Sequence, residues 1–138
     1  VSVIPNRKLV LKWAEQWPNG AYFRVEEVVY AASITGDGDI IPGSGSVVLQ
    51  ARPYRILKVT PRGVRIDDYQ NRATPGRVIL RDWTKQWASP TIDEAVKHFI
   101  ARKRRQISIY EARIRNWEEA VRLAENEQIN NGGLSDEA

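Results

Sequence analysis

The sequence contains no cysteine and a single histidine, His98. Without thiols the chain cannot form disulfides, build thiolate zinc sites or use a cysteine nucleophile, and one imidazole is too few for a multi-histidine metal centre within one chain. Long hydrophobic runs are missing as well. No stretch approaches the roughly 20 apolar residues that cross a bilayer, and the opening Val1-Ser2-Val3-Ile4-Pro5 has no signal-peptide core. A cytoplasmic protein with no membrane partner is the expectation. Nor does any nucleophile, base and orienting group stand in a catalytic pattern, so neither an enzyme nor a cofactor is expected.

What is present is ordinary for a globular chain of 138 residues: 42% hydrophobic and 28% charged, with an unusual five tryptophans. The formal charge of +4 leans weakly toward anionic partners. Its distribution says more. Lys97, Arg102, Lys103, Arg104 and Arg105 follow one another without an acid, whereas Glu111, Glu118, Glu119, Glu125 and Glu127 come later.

Three regions are expected: a β-rich body over 1–90, a long helix over 91–128 and a polar tail over 129–138. Residues 7–17 mix strand and helix signals, and Pro18-Asn19-Gly20 closes them with turn chemistry. β-branched and aromatic density predicts a strand from Ala21 to Tyr30. Gly36-Asp37-Gly38-Asp39 resembles a fragment of a calcium loop but lacks the remaining oxygens, and reads as a turn. Gly43-Ser44-Gly45-Ser46 lacks the lysine of a phosphate-binding loop. Tyr54–Thr60, the turn Pro61-Arg62-Gly63 and Val64–Asp68 read as a hairpin, with Leu57 and Val59 on one face and Val64 and Ile66 alternating on the returning strand. Arg77–Trp83 supplies another strand after a connection, 71–76, that contains Pro75. The fold class is therefore α+β: an antiparallel β-meander, curled or closed into a small SH3-like or OB-like barrel, followed by a long amphipathic helix.

Thr91 with Glu94 three residues on forms a capping box just after Pro90, and no Gly or Pro interrupts until Gly132. Unbroken to residue 128, the helix would be about 55 Å long at 1.5 Å per residue. A break near Gln106 would make it a helical hairpin instead. With Ile100 at heptad position a, the a row is Ile100, Ile107, Ile114 and Val121, and the d row is Val96, Lys103, Tyr110, Trp117 and Ala124. The e row runs Lys97, Arg104, Glu111, Glu118, Glu125. Opposed antiparallel, Lys97 meets Glu118 and Arg104 meets Glu111 of a second copy. An antiparallel homodimer, or a larger oligomer containing one, is expected; packing of the same stripe on the chain's own sheet is the simpler alternative.

Two constellations suit an anionic, base-bearing ligand. His98, Arg102 and Arg105 share a helical face at spacings of four and three, where forked guanidinium donors would hold phosphates. Arg72, Arg77 and Arg81 would widen that surface. Trp83 and Trp87, with Tyr69 and Phe99, offer faces for a nucleobase. Against these stand plainer readings: a solvated basic face, and core aromatics at a sheet-to-helix junction. Asp67, Asp68 and Asp82 lie opposite several arginines and read as ion-paired.

The stretch Ser89–Ala112, with its Pro-Thr-x-x-Glu-Ala helix start after a meander carrying Val-Thr-Pro-Arg, resembles small accessory proteins of tailed bacteriophages. Within that group it looks most like the first-described family of Thoeris anti-defence sponges, over residues 54–125. The resemblance implies a non-enzymatic oligomer in the host cytoplasm that sequesters a cyclic ADP-ribose isomer. It places Arg102 and Arg105 on the ligand's phosphates, and Trp83, Trp87 and Asn71 as contacts from the preceding loop. A nucleic-acid-binding module, and a protein-protein inhibitor or virion component using the helix, are the alternatives.

Overall fold

The computed structural model describes residues 2–30, 33–39, 41, 45–71, 73 and 76–132. The chain divides into two compact units, Val1–Ile100 and Ala101–Ala138. The expected α+β class is observed: helix α1 (Arg7–Ala14), strands β1 (Ala21–Tyr30), β2 (Ser46–Thr60), β3 (Gly63–Ile66) and β4 (Arg77–Leu80), and helix α2 (Ile92–Asn131). The strands form one antiparallel sheet in the order β1-β2-β3-β4, a curled meander rather than a closed barrel among the described residues.

In β1 and β2, residues facing each other across the ladder alternate between the two sides of the sheet. Phe23↔Pro53, Val25↔Ala51 and Glu27↔Leu49 share one side; Tyr22↔Tyr54, Arg24↔Arg52 and Glu26↔Gln50 share the other. Each side has its own core. On the first, Phe23, Val25 and Ala51 pack with Ile4, Val10, Ile92 and Ala95. On the second, Tyr54, Ile56, Val64, Ile66, Ile79 and Ala88 pack together, with Tyr22 and Trp87 against them. Each large apolar side chain so buried contributes about 1.5–3 kcal/mol relative to exposure.

The segment whose type the sequence leaves open, 7–17, begins as α1. Asn6 precedes the helix without capping it through its side chain. Its carboxamide instead donates to the Ala51 carbonyl at 2.8 Å and accepts from the Ala51 N–H at 3.0 Å. This two-way bond fixes α1 to the edge of β2. Pro18-Asn19-Gly20 closes the segment as expected, with Gly20 at φ 78° and β1 starting at the next residue.

β2 is longer than its expected extent of Tyr54–Thr60, reaching back to Ser46, and its pairing changes along its length. Residues 46–55 face β1, and residues 56–60 face β3. The register shifts between Ile56 and Lys58. This bulge corrects the expected hairpin faces: Ile56, not Leu57, packs in the core with Val64 and Ile66, while Leu57 and Val59 are exposed. The turn after Thr60 is tight, and Gly63 lies where the end of β4 pairs with β3, opposite Leu80. A Cβ there would stand 1.9 Å from the Ile79 carbonyl oxygen, so only glycine fits. β3 ends at Ile66 rather than Asp68, and β4 at Leu80 rather than Trp83, where the Trp83 N–H turns back to the Leu80 carbonyl.

Thr91 caps α2, its hydroxyl accepting from the Glu94 N–H at 3.1 Å. Ile92, Ala95, Val96 and Phe99 recur at helical spacing and serve the first unit's core. Val96, expected on the dimer seam, is thus half-buried against its own body, and the exposed stripe starts at Ile100. In the second unit α2 continues without a break at Gln106 and runs three residues past the expected end at 128. There all side chains from 101 to 131 are exposed except those of Arg102, Lys103 and Ala112, which are half-buried. Residues 133–138 of the expected tail, and the Gly43-Ser44 part of the serine-glycine loop, lie outside the described residues. No described helix is long and apolar enough to cross a membrane.

Candidate functional site: an aromatic groove in the first unit

Trp13 and Trp17 stand four residues apart, at the end of α1 and in the turn that continues it, where the Trp17 N–H bonds to the Ala14 carbonyl at 3.2 Å. Spacing of four places side chains on one helical side. Pro53 and Arg55 are two apart on β2, hence on one side of the sheet. A proline is tolerated here because its partner Phe23 turns both backbone groups away from β2, exchanging bonds of 2.7 and 2.8 Å with Ser89. Beyond β3 the chain stays tied to β2 through the Asp67 N–H on the Arg55 carbonyl, 2.9 Å, and then carries Tyr69 across. These six residues line an open groove of about 410 Å³.

The groove's chemistry is that of a binding surface. Trp13, Trp17 and Tyr69 supply π faces, and Trp13 and Tyr69 are each half exposed. Tyr69 is held by stacking on Tyr54, with centroids 5.1 Å apart and planes at 18°. Arg55 and Asp67 form an ion pair at 3.3 Å in which both side chains remain accessible, at 50% and 42%. A pair this solvated has little net stability to lose when a ligand anion replaces the carboxylate.

Beneath Tyr69, on the sheet's second side, lies a denser polar-aromatic network. The Tyr54 ring meets Trp87 edge-on at 4.9 Å, and Trp87 carries the guanidiniums of Arg24 at 4.6 Å and Arg77 at 4.0 Å. Arg24 also donates to the Trp87 carbonyl at 2.7 Å and to Glu26 at 3.1 Å. Glu26 pairs with Arg52 at 2.7 Å, a charge contact in which the Arg52 Nε–H makes no directed hydrogen bond. Arg77 holds the buried Asp68 at 3.0 Å. The Tyr54 hydroxyl is buried without a well-directed partner. Burial, then the neighbouring Tyr69 phenol and Glu26 carboxylate, push its pKa far above the ordinary phenol value.

Of the expected ligand residues, Arg77 and Trp87 are brought together, but against each other. A base stacking on the face that carries Arg77 would have to displace a guanidinium already at contact distance. Asn71 braces its own turn, its Oδ1 accepting from the Ala73 N–H at 3.3 Å. Trp83 is exposed in the connection after β4. His98 is half-buried on α2 within the first unit; Arg102, half-buried, and Arg105, exposed, belong to the second. Arg72 lies outside the described residues. Asp67 and Asp68 are ion-paired as expected, with Arg55 and Arg77. Asp37 and Asp39 sit in a tight turn closed by the Thr35 N–H on the Asp39 carbonyl, 2.7 Å. Among the described residues no group of three acids or histidines is placed to hold a metal.

Sequence reasoning anticipated Tyr69 as a stacking face but not Trp13, Trp17, Pro53 and Arg55. The Trp-x-x-x-Trp spacing was the available signal, and it becomes informative only once residues 7–14 are known to be helical. No family model, no curated protein and no solved structure matches the chain. The phage resemblance therefore rests on the residues that carry it.

Proposed function

We propose that this protein is a non-enzymatic binder of a small planar anion of the nucleotide class, seated in the groove of Trp13, Trp17 and Tyr69 with Arg55 at its charged end. The observation that carries this reading is the convergence of three aromatic faces and one accessible guanidinium around a volume of drug-sized-ligand scale. Aromatic faces accept any base, and the guanidinium fork suits phosphate. In its most specific form, drawn from the resemblance, the ligand is a cyclic ADP-ribose isomer sequestered intact during phage infection.

Titration calorimetry with adenosine, AMP, ADP and cyclic ADP-ribose isomers tests it, followed by chromatographic recovery of the ligand. Binding of the phosphorylated compounds, weaker binding of adenosine and intact recovery are expected. Trp17→Ala should weaken binding by about 5- to 150-fold, on a stacking contribution of about 1–3 kcal/mol. Absence of binding to every compound overturns the nucleotide reading, and breakdown of the ligand overturns the non-enzymatic one. Loss of binding in Arg105→Ala but not in Trp17→Ala would move the site to the second unit's helix.

A further inference from the structure

The second unit exposes an apolar row that its own helix cannot cover. Ile107 is 55% exposed and Trp117 60%, with Tyr110, Ile114 and Val121 in the same range. Their spacing of three, four and seven puts them on one stripe of a straight helix, the a and d rows of a heptad repeat. Ile109 and Leu123, both at c, are exposed outside the stripe. A stripe of this kind is buried when another helix inserts its side chains between those of the first.

The charges flanking the stripe select the partner. The e row changes sign midway, Lys97 and Arg104 before Glu111 and Glu118. In an antiparallel pair e faces e, so a sequence whose e row is basic in one half and acidic in the other is complementary to itself reversed. We infer that α2, from Ile100 to about Trp117, pairs antiparallel with the same segment of a second copy, so that Arg104 faces Glu111 and Ile107 faces Tyr110 across the two-fold axis.

The register follows from the same charges. With Arg104 opposite Glu111 and Lys97 opposite Glu118, every e contact between these residues is complementary. Sliding one heptad in one direction sets Arg104 against Arg104 of the second copy, and in the other direction Glu111 against Glu111. Lys103, the one charged d residue between Val96 and Trp117, lies opposite Ile114; its ammonium reaches its own helix's Gln106 at 3.2 Å. A lone polar residue in an apolar seam costs stability but penalises other registers. The ligand groove contributes nothing to this inference, which stands or falls separately from the proposed function.

The full chain, free of native cysteine, lends itself to the test. Light scattering at micromolar concentration is expected to give a dimer or an assembly of dimers, and a monomer overturns the inference. Under mild oxidation a mixture of Arg104→Cys and Glu111→Cys chains should crosslink, while neither chain does so alone. Crosslinking of each chain with itself, or none in the mixture, overturns the antiparallel register. Glu111→Arg should raise the dimer dissociation constant about tenfold, because two symmetry-related attractions become repulsions. Adding Arg104→Glu to that chain should restore it, and failure to restore overturns the proposed pairing.

Discussion

Ala51 lies in mid-strand with its N–H and C=O turned away from β1, and it is 1% exposed. The Asn6 carboxamide satisfies both groups at once, as the backbone of another strand would. Replacing Asn6 by Ala should cost about 1–3 kcal/mol, since it strands a buried donor and acceptor. Asn6→Asp should be no better: a carboxylate can accept from the N–H but repels the carbonyl. Urea titrations of both variants give the measurement. Tyr54 offers a second residue-scale expectation, with a pH signature. Its phenol is neutral and its pKa is raised in the folded state, so the associated stability is fully present below the unfolded value of about 10 and is lost as pH rises above it. Tyr54→Phe should therefore be within about 1 kcal/mol of the parent at neutral pH, having removed a hydroxyl without a directed partner. It should also lose stability less steeply under alkali, as denaturation curves on either side of pH 10 would show.

At the scale of elements, what was legible in the sequence is what local chemistry dictates. Thr91 with Glu94 marked the start of α2, Pro18-Asn19-Gly20 marked the start of β1, and Pro61-Arg62-Gly63 marked the β2–β3 turn. What escaped depends on contacts far along the chain. α1 has one fully buried residue, Val10, and is anchored by Asn6 to Ala51 and by Arg7 to Asp93 at 2.9 Å; its own residues mix helix and strand signals, and those distant contacts settle the choice. Trp13 and Trp17 were unread as a site for that reason. The bulge in β2 escaped because strict alternation cannot register an inserted residue, and it exchanged the roles of Ile56 and Leu57. Substitution separates them. Ile56→Ala should cost about 2–4 kcal/mol, whereas Leu57→Thr should stay within about 0.5 kcal/mol. Equal effects in thermal melts would place the bulge elsewhere. The long helix was correctly bounded at its start, but its first turns proved to serve the body, which shortened the free stripe by one seam residue, Val96.

For the whole chain, the manner in which α1 is anchored sets an order of assembly. An eight-residue helix is not stable alone in water, and its tethers span 45 residues to Ala51 and 86 to Asp93. Those partners must already be in place before α1 has anything to dock on. α1 is accordingly expected to form after the β1–β2 ladder and to open through excursions smaller than global unfolding. Native-state hydrogen exchange should find its amides exchanging well before those of the central β1–β2 ladder. Trp13 and Trp17 ride on that same piece, so each opening also dismantles one wall of the groove. Any molecule that occupies the groove then draws on the closed population alone and holds α1 shut in proportion to the logarithm of its concentration. The site is in this sense a latch, and slowed exchange at α1 is a report of occupancy that needs no knowledge of the ligand beforehand.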